Sequence, residues 1–290
     1  MDLKDSLKIL CSPGKGYSQS SISLEFSDEF CMKSHPLHAS IETEWKKKLK
    51  ESINLFNASK FRLHRIIFQQ AYEDHSYPLK LYVGTTSYKD FIGTNCAPYA
   101  HKLVQDGLEK SNSQLYLSDP IGVGGLLVTS DDQLVFIKRS EKCAEMPGLI
   151  DRPGGHPEPS EVQTVTGQSL KDVDPSAIVE EIFQSVLKEI RDEVNIPVHE
   201  LSQPILLGVG YNPNTWKRPS MEFYVRCNLS SDQVAALYKE QTQAESDEST
   251  EILIVPVAEV LKSCLENFKY FNKLTHPAKT ALYFLKIFFK

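Results

Sequence analysis

Three carboxylates, Glu189, Asp192 and Glu193, fall within five residues of a segment whose apolar residues recur at helical spacing. Glu189 and Glu193 are four apart, so on a helix they share a neighbouring face, and Asp192 lies beside Glu189 one turn on. Acids packed this closely repel one another unless a cation sits between them. A hard divalent ion with oxygen ligands suits them, most naturally Mg²⁺, with Mn²⁺ a possible substitute. Alone, such a cluster reads as a solvated helix face. The pair Gly154 and Gly155, in the loop from Pro153 to Pro159, shifts the reading towards a site, because glycine lets backbone turn closely beneath a ligand.

The element that must position these acids is a helix with clear punctuation. Asp174 suits the N-cap, Pro175 the first helical position, and Asn195 the left-handed residue past the end, with Pro197 preventing continuation. Ile178, Ile182, Val186, Ile190 and Val194 form the expected buried stripe.

The stretch from Gly155 to Ile196 resembles the Nudix box. That pattern runs Gly, five residues, Glu, seven residues, then Arg-Glu-apolar-any-Glu-Glu-any-Gly-apolar. Gly155 and Glu161 keep the first spacing, Glu189 and Glu193 match the metal-binding acids, and Ile190 and Ile196 match the apolar positions. Lys188, Asp192 and Asn195 replace Arg, Glu and Gly, which preserves charge or conformation, and the gap from Glu161 to Lys188 is much longer than seven. Further segments, Lys60 to His64, Thr86 to Asn95, Tyr116 to Gly124 and Pro147 to Pro159, are similar to the UDP-sugar pyrophosphatase branch of that superfamily. The resemblance implies an α/β fold, a Nudix-type αβα sandwich with a mixed sheet. An N-terminal α/β region (1–116) that contributes to nucleotide binding packs against the hydrolase domain (117–290).

The resemblance also implies Mg²⁺-dependent hydrolysis of UDP-glucose or UDP-galactose to UMP and a hexose 1-phosphate, with Glu189 and Glu193 on the metal. Asp192, Glu158 and Glu222 are alternative metal auxiliaries or bases. Phe56 and Tyr88 match substrate-contacting positions, where an aromatic can stack on a base; without the resemblance each reads as a core or edge aromatic. Asp151, His156 and Glu158 match positions facing the sugar, and Ala144 a backbone contact. Arg139 can form a fork onto a diphosphate or be a surface arginine. Hydrolysis of another nucleoside diphosphate derivative such as ADP-ribose, or a non-catalytic Nudix-fold binding module, stay open as alternatives.

Composition is consistent with this. At 290 residues the chain accommodates one large core or two modest domains, and its net charge of −6 argues against a DNA or RNA partner. No apolar run approaches membrane-spanning length and no signal-peptide core opens the chain, so a cytoplasmic protein, possibly also nuclear, is expected. Six widely spaced cysteines without a Cys-x-x-Cys suggest buried free thiols.

Strands are expected over Ser6–Cys11, Ser21–Phe26, Phe61–Gln69, Leu79–Gly84, Pro204–Gly210 and Met221–Leu229, and Glu251–Val257 as a buried strand. Gly122–Thr129 and Leu134–Arg139 suit a hairpin, with glycines admitting close backbone approach rather than forming a dinucleotide fingerprint. Helices are expected over Ala39–Ser52, Ala97–Lys110, Ser230–Gln241 and Pro277–Lys290. The last, strongly apolar, suits the core; exposed, it would mark a homo-oligomer surface. Asn54–Asn57 reads as a polar loop around one aromatic and Thr85–Asp90 as a stretch that follows a strand, both less like scaffold than their surroundings, and the acidic Thr242–Ser249 reads as a mobile loop.

Overall fold

A computed structural model describes residues 7, 9–11, 14–51, 55–68, 79–143 and 145–290; the side chains of Leu10 and Cys11 lie outside that description. In chain order the elements are β1 (Ile9–Cys11), β2 (Ile22–Phe26), α1 (Ile41–Glu51), β3 (Ser59–Phe68), β4 (Leu79–Ser87), α2 (Tyr88–Gly93), α3 (Ala100–Glu109), β5 (Gly122–Val128), β6 (Gln133–Arg139), β7 (Ile150–Asp151), α4 (Pro159–Thr166) and α5 (Pro175–Val194). They continue with β8 (Ile205–Asn212), β9 (Arg218–Arg226), α6 (Ser231–Lys239), β10 (Ser249–Pro256), α7 (Val257–Lys262) and α8 (His276–Phe288), with short 3₁₀ turns between.

Two sheets result. The larger runs β1-β8-β9-β5-β6-β10, with β7 also on β6, and is mixed because β5 and β9 are parallel while the other pairs are antiparallel. The smaller runs β2-β4-β3. Helix α5 packs against both β5 and β2, so it lies between the two sheets, while α8 covers the other face along β8 and β9. The stripe Ile178, Ile182, Val186, Ile190 and Val194 is buried throughout and joins Leu79, Leu81, Val83, Val123 and Val225 in one core. One hydrophobic core therefore runs from the N-terminal sheet through α5 into the large sheet, and burial of apolar area of this kind is the main stabilising term.

The helix ends follow their residues. Asp174 accepts from the Ser176 amide at 2.8 Å with Pro175 at the first position, and Asn195 closes α5 at φ 69°. Ser230 caps α6 in a reciprocal bond with Gln233. In α1, Ile41 and Trp45 are buried, while Leu49 is 41% exposed.

Several expectations need correction. Thr85–Ser87 continue β4 beyond the expected end at Gly84, and Tyr88–Asp90 open α2, where Ser87 accepts the Asp90 amide as the helix cap. Strand β10 is an edge strand paired only to β6, so its outer side is open and Ile252, Leu253 and Ile254 are half-buried. Residues 242–248 are anchored rather than loose. The Glu245 amide donates to the Asp192 carbonyl at 2.9 Å, the Ser140 amide to the Glu248 carbonyl at 2.8 Å, and Asn195 Nδ2 to Thr242 Oγ1 at 2.9 Å. Of the five described cysteines, all free, only Cys227 is buried. Ser6, Ser52, Asn54, Gln69 and Ala144 lie outside the described residues. Among the described residues no helix is long and apolar enough to cross a membrane.

Candidate active site

A cavity of about 320 Å³ opens where the N-terminal sheet meets the large one. Leu55, Phe56, Ala58, Lys60 and Tyr88 line it from the N-terminal region, and the loop Gly154–His156 with Glu189 lines the opposite wall. That loop is fixed by the strand beneath it. The Val123 amide donates to the Gly155 carbonyl at 2.9 Å, and the Gly125 amide to the Pro153 carbonyl at 2.8 Å. In return it grips the helix acids: the Gly154 amide donates to Glu193 Oε2 at 2.7 Å and the His156 amide to Glu189 Oε1 at 3.3 Å. A Cβ on Gly155 would stand 2.0 Å from Glu189 Oε1, so only glycine lets the carboxylate lie this close to the loop. Gly124 is required for a similar reason, since a Cβ there would fall 2.1 Å from the Arg152 guanidinium carbon.

The acids of α5 meet two from the loop before β10. Ligand oxygens of Glu193, Glu245 and Glu248 all lie within 4.8 Å of one another, and Glu189 is an electrostatic neighbour of Glu245. Burial, reinforced by the neighbouring acids, pushes Glu189 up to about 8 and Glu245 up to about 7, and lifts Glu193 well above the usual carboxylate range. Burial disfavours the charged form of these side chains, and a hard divalent cation among them would favour it. The all-oxygen donor set fits such an ion, with Glu193, Glu245 and Glu248 as the residues that would hold it, while Glu189, a ligand expected from the sequence, is not among the oxygens that meet there and is tied to them by its field.

Other residues singled out from the sequence fall into distinct environments. Phe56 is 71% exposed and lines the cavity. Tyr88 also lines it but is braced edge-on against Trp45 (6.1 Å) and near Phe91 (6.0 Å), and burial raises its hydroxyl pKa. Arg139 donates from Nε to the Glu145 carbonyl at 3.1 Å and points NH1 towards Asp151 at 3.8 Å. Asp151 accepts from Thr275 Oγ1 at 2.7 Å and from Arg152. The His156 Nε2 is buried without a partner among the described residues, and burial together with Arg218 and Lys60 holds its imidazole neutral, well below the ordinary histidine range. Glu158 faces the cavity and pairs with Lys60.

Glu222 and Asp192 are placed elsewhere. Glu222 is fully buried, its two oxygens held by Arg152 (2.8 and 3.2 Å) and Ser220 (2.6 Å), and it does not line the cavity. Asp192 turns its carboxylate to Arg191 in a two-bond pair at 2.7 Å, and it meets the site through its carbonyl, which anchors Glu245, and through its charge, which adds to the repulsion on Glu245. Glu161, in the first turn of α4, still reaches Lys188 of α5 by an ion pair at 2.7 Å, because α4 packs alongside α5.

Sequence reasoning passed over Lys60, Glu145, Arg218, Glu245 and Glu248. Glu245 and Glu248 carried a weak signal, two acids three apart in an acidic stretch. Arg218, buried against Phe91 and paired with Glu145 at 3.0 Å, carried none.

No family model matches the chain. Full-length relatives do. The chain is 40% identical over 284 residues to uridine diphosphate glucose pyrophosphatase NUDT22 of Mus musculus, covering 97% of this chain and 90% of that one. It is 42% identical over 262 residues to the Homo sapiens protein of the same name, covering 90% and 86%. Nudix hydrolase 9 of Arabidopsis thaliana is 30% identical over 265 residues, covering 87% and 84%. This chain belongs to the Nudix hydrolases. Members of the family generally use divalent metals, and the acid corner is the oxygen-rich place where this member can hold one. A Nudix hydrolase acts on a diphosphate linkage. The lining of the cavity combines acids (Glu145, Asp151, Glu158, Glu189, Glu245 and Glu248), cations (Lys60, Arg139, Arg152 and Arg218) and the aromatics Phe56 and Tyr88.

Proposed function

We propose that the protein hydrolyses UDP-glucose and UDP-galactose to UMP and the hexose 1-phosphate, with Mg²⁺ as the resident cation and Mn²⁺ as a substitute. The observation that carries this reading is the shared cavity: base-sized aromatics from the N-terminal region and the acids Glu189 of α5 and Glu245 and Glu248 of the loop before β10 line one space. The names of the relatives at 40% identity support the substrate class. The two regions, 1–116 and 117–290, act as one unit in this reading, because neither wall alone makes the cavity.

Catalysis of phosphoryl transfer is mainly positioning and charge neutralisation. Phe56 and Tyr88 hold the uracil ring, Phe56 from solvent and Tyr88 from its braced position. Arg139 faces the diphosphate with the donors not engaged by Glu145. Asp151, oriented by Thr275, together with neutral His156 and Glu158, meets the sugar hydroxyls; His156 Nε2, buried without a partner among the described residues, has a hydrogen bond to gain there. Glu193, Glu245 and Glu248 would hold the cation, which supplies electrophilic activation of the phosphoryl group and of the attacking water. Glu222 keeps Arg152 fixed under the glycine loop.

Product analysis tests the reading. UMP and hexose 1-phosphate are expected, in a Mg²⁺-dependent reaction. UDP with free sugar, or efficient cleavage of ADP-ribose without turnover of UDP-glucose, would overturn it.

A further inference from the structure

One buried cation in the cavity comes from the N-terminal sheet. Lys60, the second residue of β3, is 8% exposed and lines the cavity beside Glu158, to which its ammonium is paired. Burying an ammonium is costly unless its donors are used. Lysine has three, and among the described residues Glu158 is the one hydrogen-bond partner of Lys60. Glu158 does not itself require a buried lysine, because its side chain is 29% exposed and keeps contact with water. The field of the ammonium also reaches the acid corner: burial raises Glu189 and Glu245, and Lys60 is among the charges opposing that rise. Spare donors on a buried cation, between a sugar-facing carboxylate and the acid corner, suit a phosphate.

We propose that Lys60 is a catalytic residue, its ammonium binding the phosphate that bears the sugar and neutralising charge as that phosphate departs. This rests on the diphosphate reading above. The water oxygen forms a bond to the phosphorus attached to uridine, and the bond from that phosphorus to the bridging oxygen breaks. The bridging oxygen keeps the electron pair and leaves as hexose 1-phosphate, while the proton of the water passes to solvent. Lys60 donates to the leaving phosphate. Glu158 sets the side: in the proposed pose it meets the sugar, so the phosphate within reach of its partner is the sugar-bearing one.

The test uses full-length Lys60→Met and Lys60→Arg with UDP-glucose and Mg²⁺, the fold checked by circular dichroism and thermal melting. Removing one preorganised donor to developing charge should lower kcat of Lys60→Met by roughly tenfold or more, with Lys60→Arg recovering a substantial part. The inhibition constant of glucose 1-phosphate should rise in Lys60→Met while that of UMP stays near the parent value, a split that a purely structural lysine would not produce. In heavy-oxygen water the label should enter UMP. Equal weakening of both products, a loss confined to KM, an undiminished kcat, or label in the hexose 1-phosphate would overturn the inference. Lys60→Gln takes the place of Lys60→Met, on the same criteria, if the latter does not fold. Parent enzyme that does not cleave UDP-glucose removes the substrate reading and this inference together; parent turnover with an indifferent Lys60→Met removes the inference alone.

Discussion

Among single residues, Glu193 carries the sharpest consequence. It is 1% exposed, accepts the Gly154 amide at 2.7 Å, and sits within 4.8 Å of Glu245 and Glu248 oxygens. In the metal-free protein its charge is disfavoured first by burial and then by Glu189. Glu193→Gln keeps an acceptor for Gly154 while removing a charge and a ligand. The metal-free variant should therefore melt no lower than the parent, gain little on adding Mg²⁺, and lose activity by roughly a hundredfold or more. A full Mg²⁺-induced shift in Tm, or a metal-free variant several degrees less stable, would show Glu193 to be a structural residue. The two aromatics differ in a way that exposure decides. Phe56, 71% exposed, contributes little to the fold, so Phe56→Ala should raise KM about tenfold, a loss of about 1.4 kcal/mol, with Tm and kcat nearly constant. Tyr88 packs with Trp45 and Phe91, so Tyr88→Ala would mix binding with folding, whereas Tyr88→Phe keeps the ring and should leave KM close to the parent value. Steady-state kinetics on these variants, with unchanged KM in Phe56→Ala, would place the base elsewhere.

At the scale of elements, α5 and the loop that meets it are joined at Asn195. Its φ of 69° ends the helix, and its Nδ2 donates to the Leu237 carbonyl at 2.8 Å and to Thr242 Oγ1 at 2.9 Å, three residues before Glu245. Asn195→Gly accommodates the left-handed backbone but deletes both bonds, so the helix end should persist while the loop loosens. The Mg²⁺ concentration for half-maximal activity should rise severalfold, with a stability loss of only about 1 kcal/mol. Asn195→Ala should cost more, by roughly 1–2 kcal/mol of left-handed strain. An unchanged Mg²⁺ requirement in Asn195→Gly would uncouple the loop from the helix end. The same junction shows what could be read in advance. The helix was legible because its cap, proline, apolar stripe and terminal Asn195 all lie within one short span and act locally. The glycines at 124 and 155 were legible as close approaches, though not what approaches them. The order of residues 242–248 was not legible: it rests on bonds to Asp192, Ser140 and Asn195, all distant in sequence, and composition alone resembles a solvated loop. For the same reason the acids of α5 were found while Glu245 and Glu248 were missed. Lys60 and Arg218 become site residues only once β3 and β9 bring them to one cavity.

At the scale of the whole molecule, the two regions are joined by a buried polar knot as well as by the shared core. Arg62, 1% exposed, donates to the carbonyls of Leu117 (3.1 Å), Phe30 (2.7 Å) and Gln114 (2.7 Å), with Asp119 at 3.8 Å. Asn95 Nδ2 donates to Asp119 Oδ1 at 2.8 Å and to the Thr215 carbonyl at 3.0 Å, three residues before Arg218 of the cavity wall. The knot thus ties the N-terminal sheet to the turn that delivers a cavity cation. Burial pushes Asp119 up to about 7, against the pull of Arg62 and Asn95. For an acid with a raised folded pKa, the folded state holds a proton that the unfolded chain releases between about pH 4 and pH 7, so stability falls as pH rises through that window. Below it both states are protonated, and above it the penalty is constant. Asp119 alone can contribute a slope of up to about 1.4 kcal/mol per pH unit. Asp119→Asn cannot titrate, so its unfolding free energy in saturating Mg²⁺, which keeps the acid corner ionised, should fall less steeply than that of the parent between about pH 5 and pH 7. Urea unfolding at several pH values measures both slopes. Parallel slopes would mean that Arg62 keeps Asp119 ionised across the window, making the knot a permanent ion pair rather than a proton-holding one.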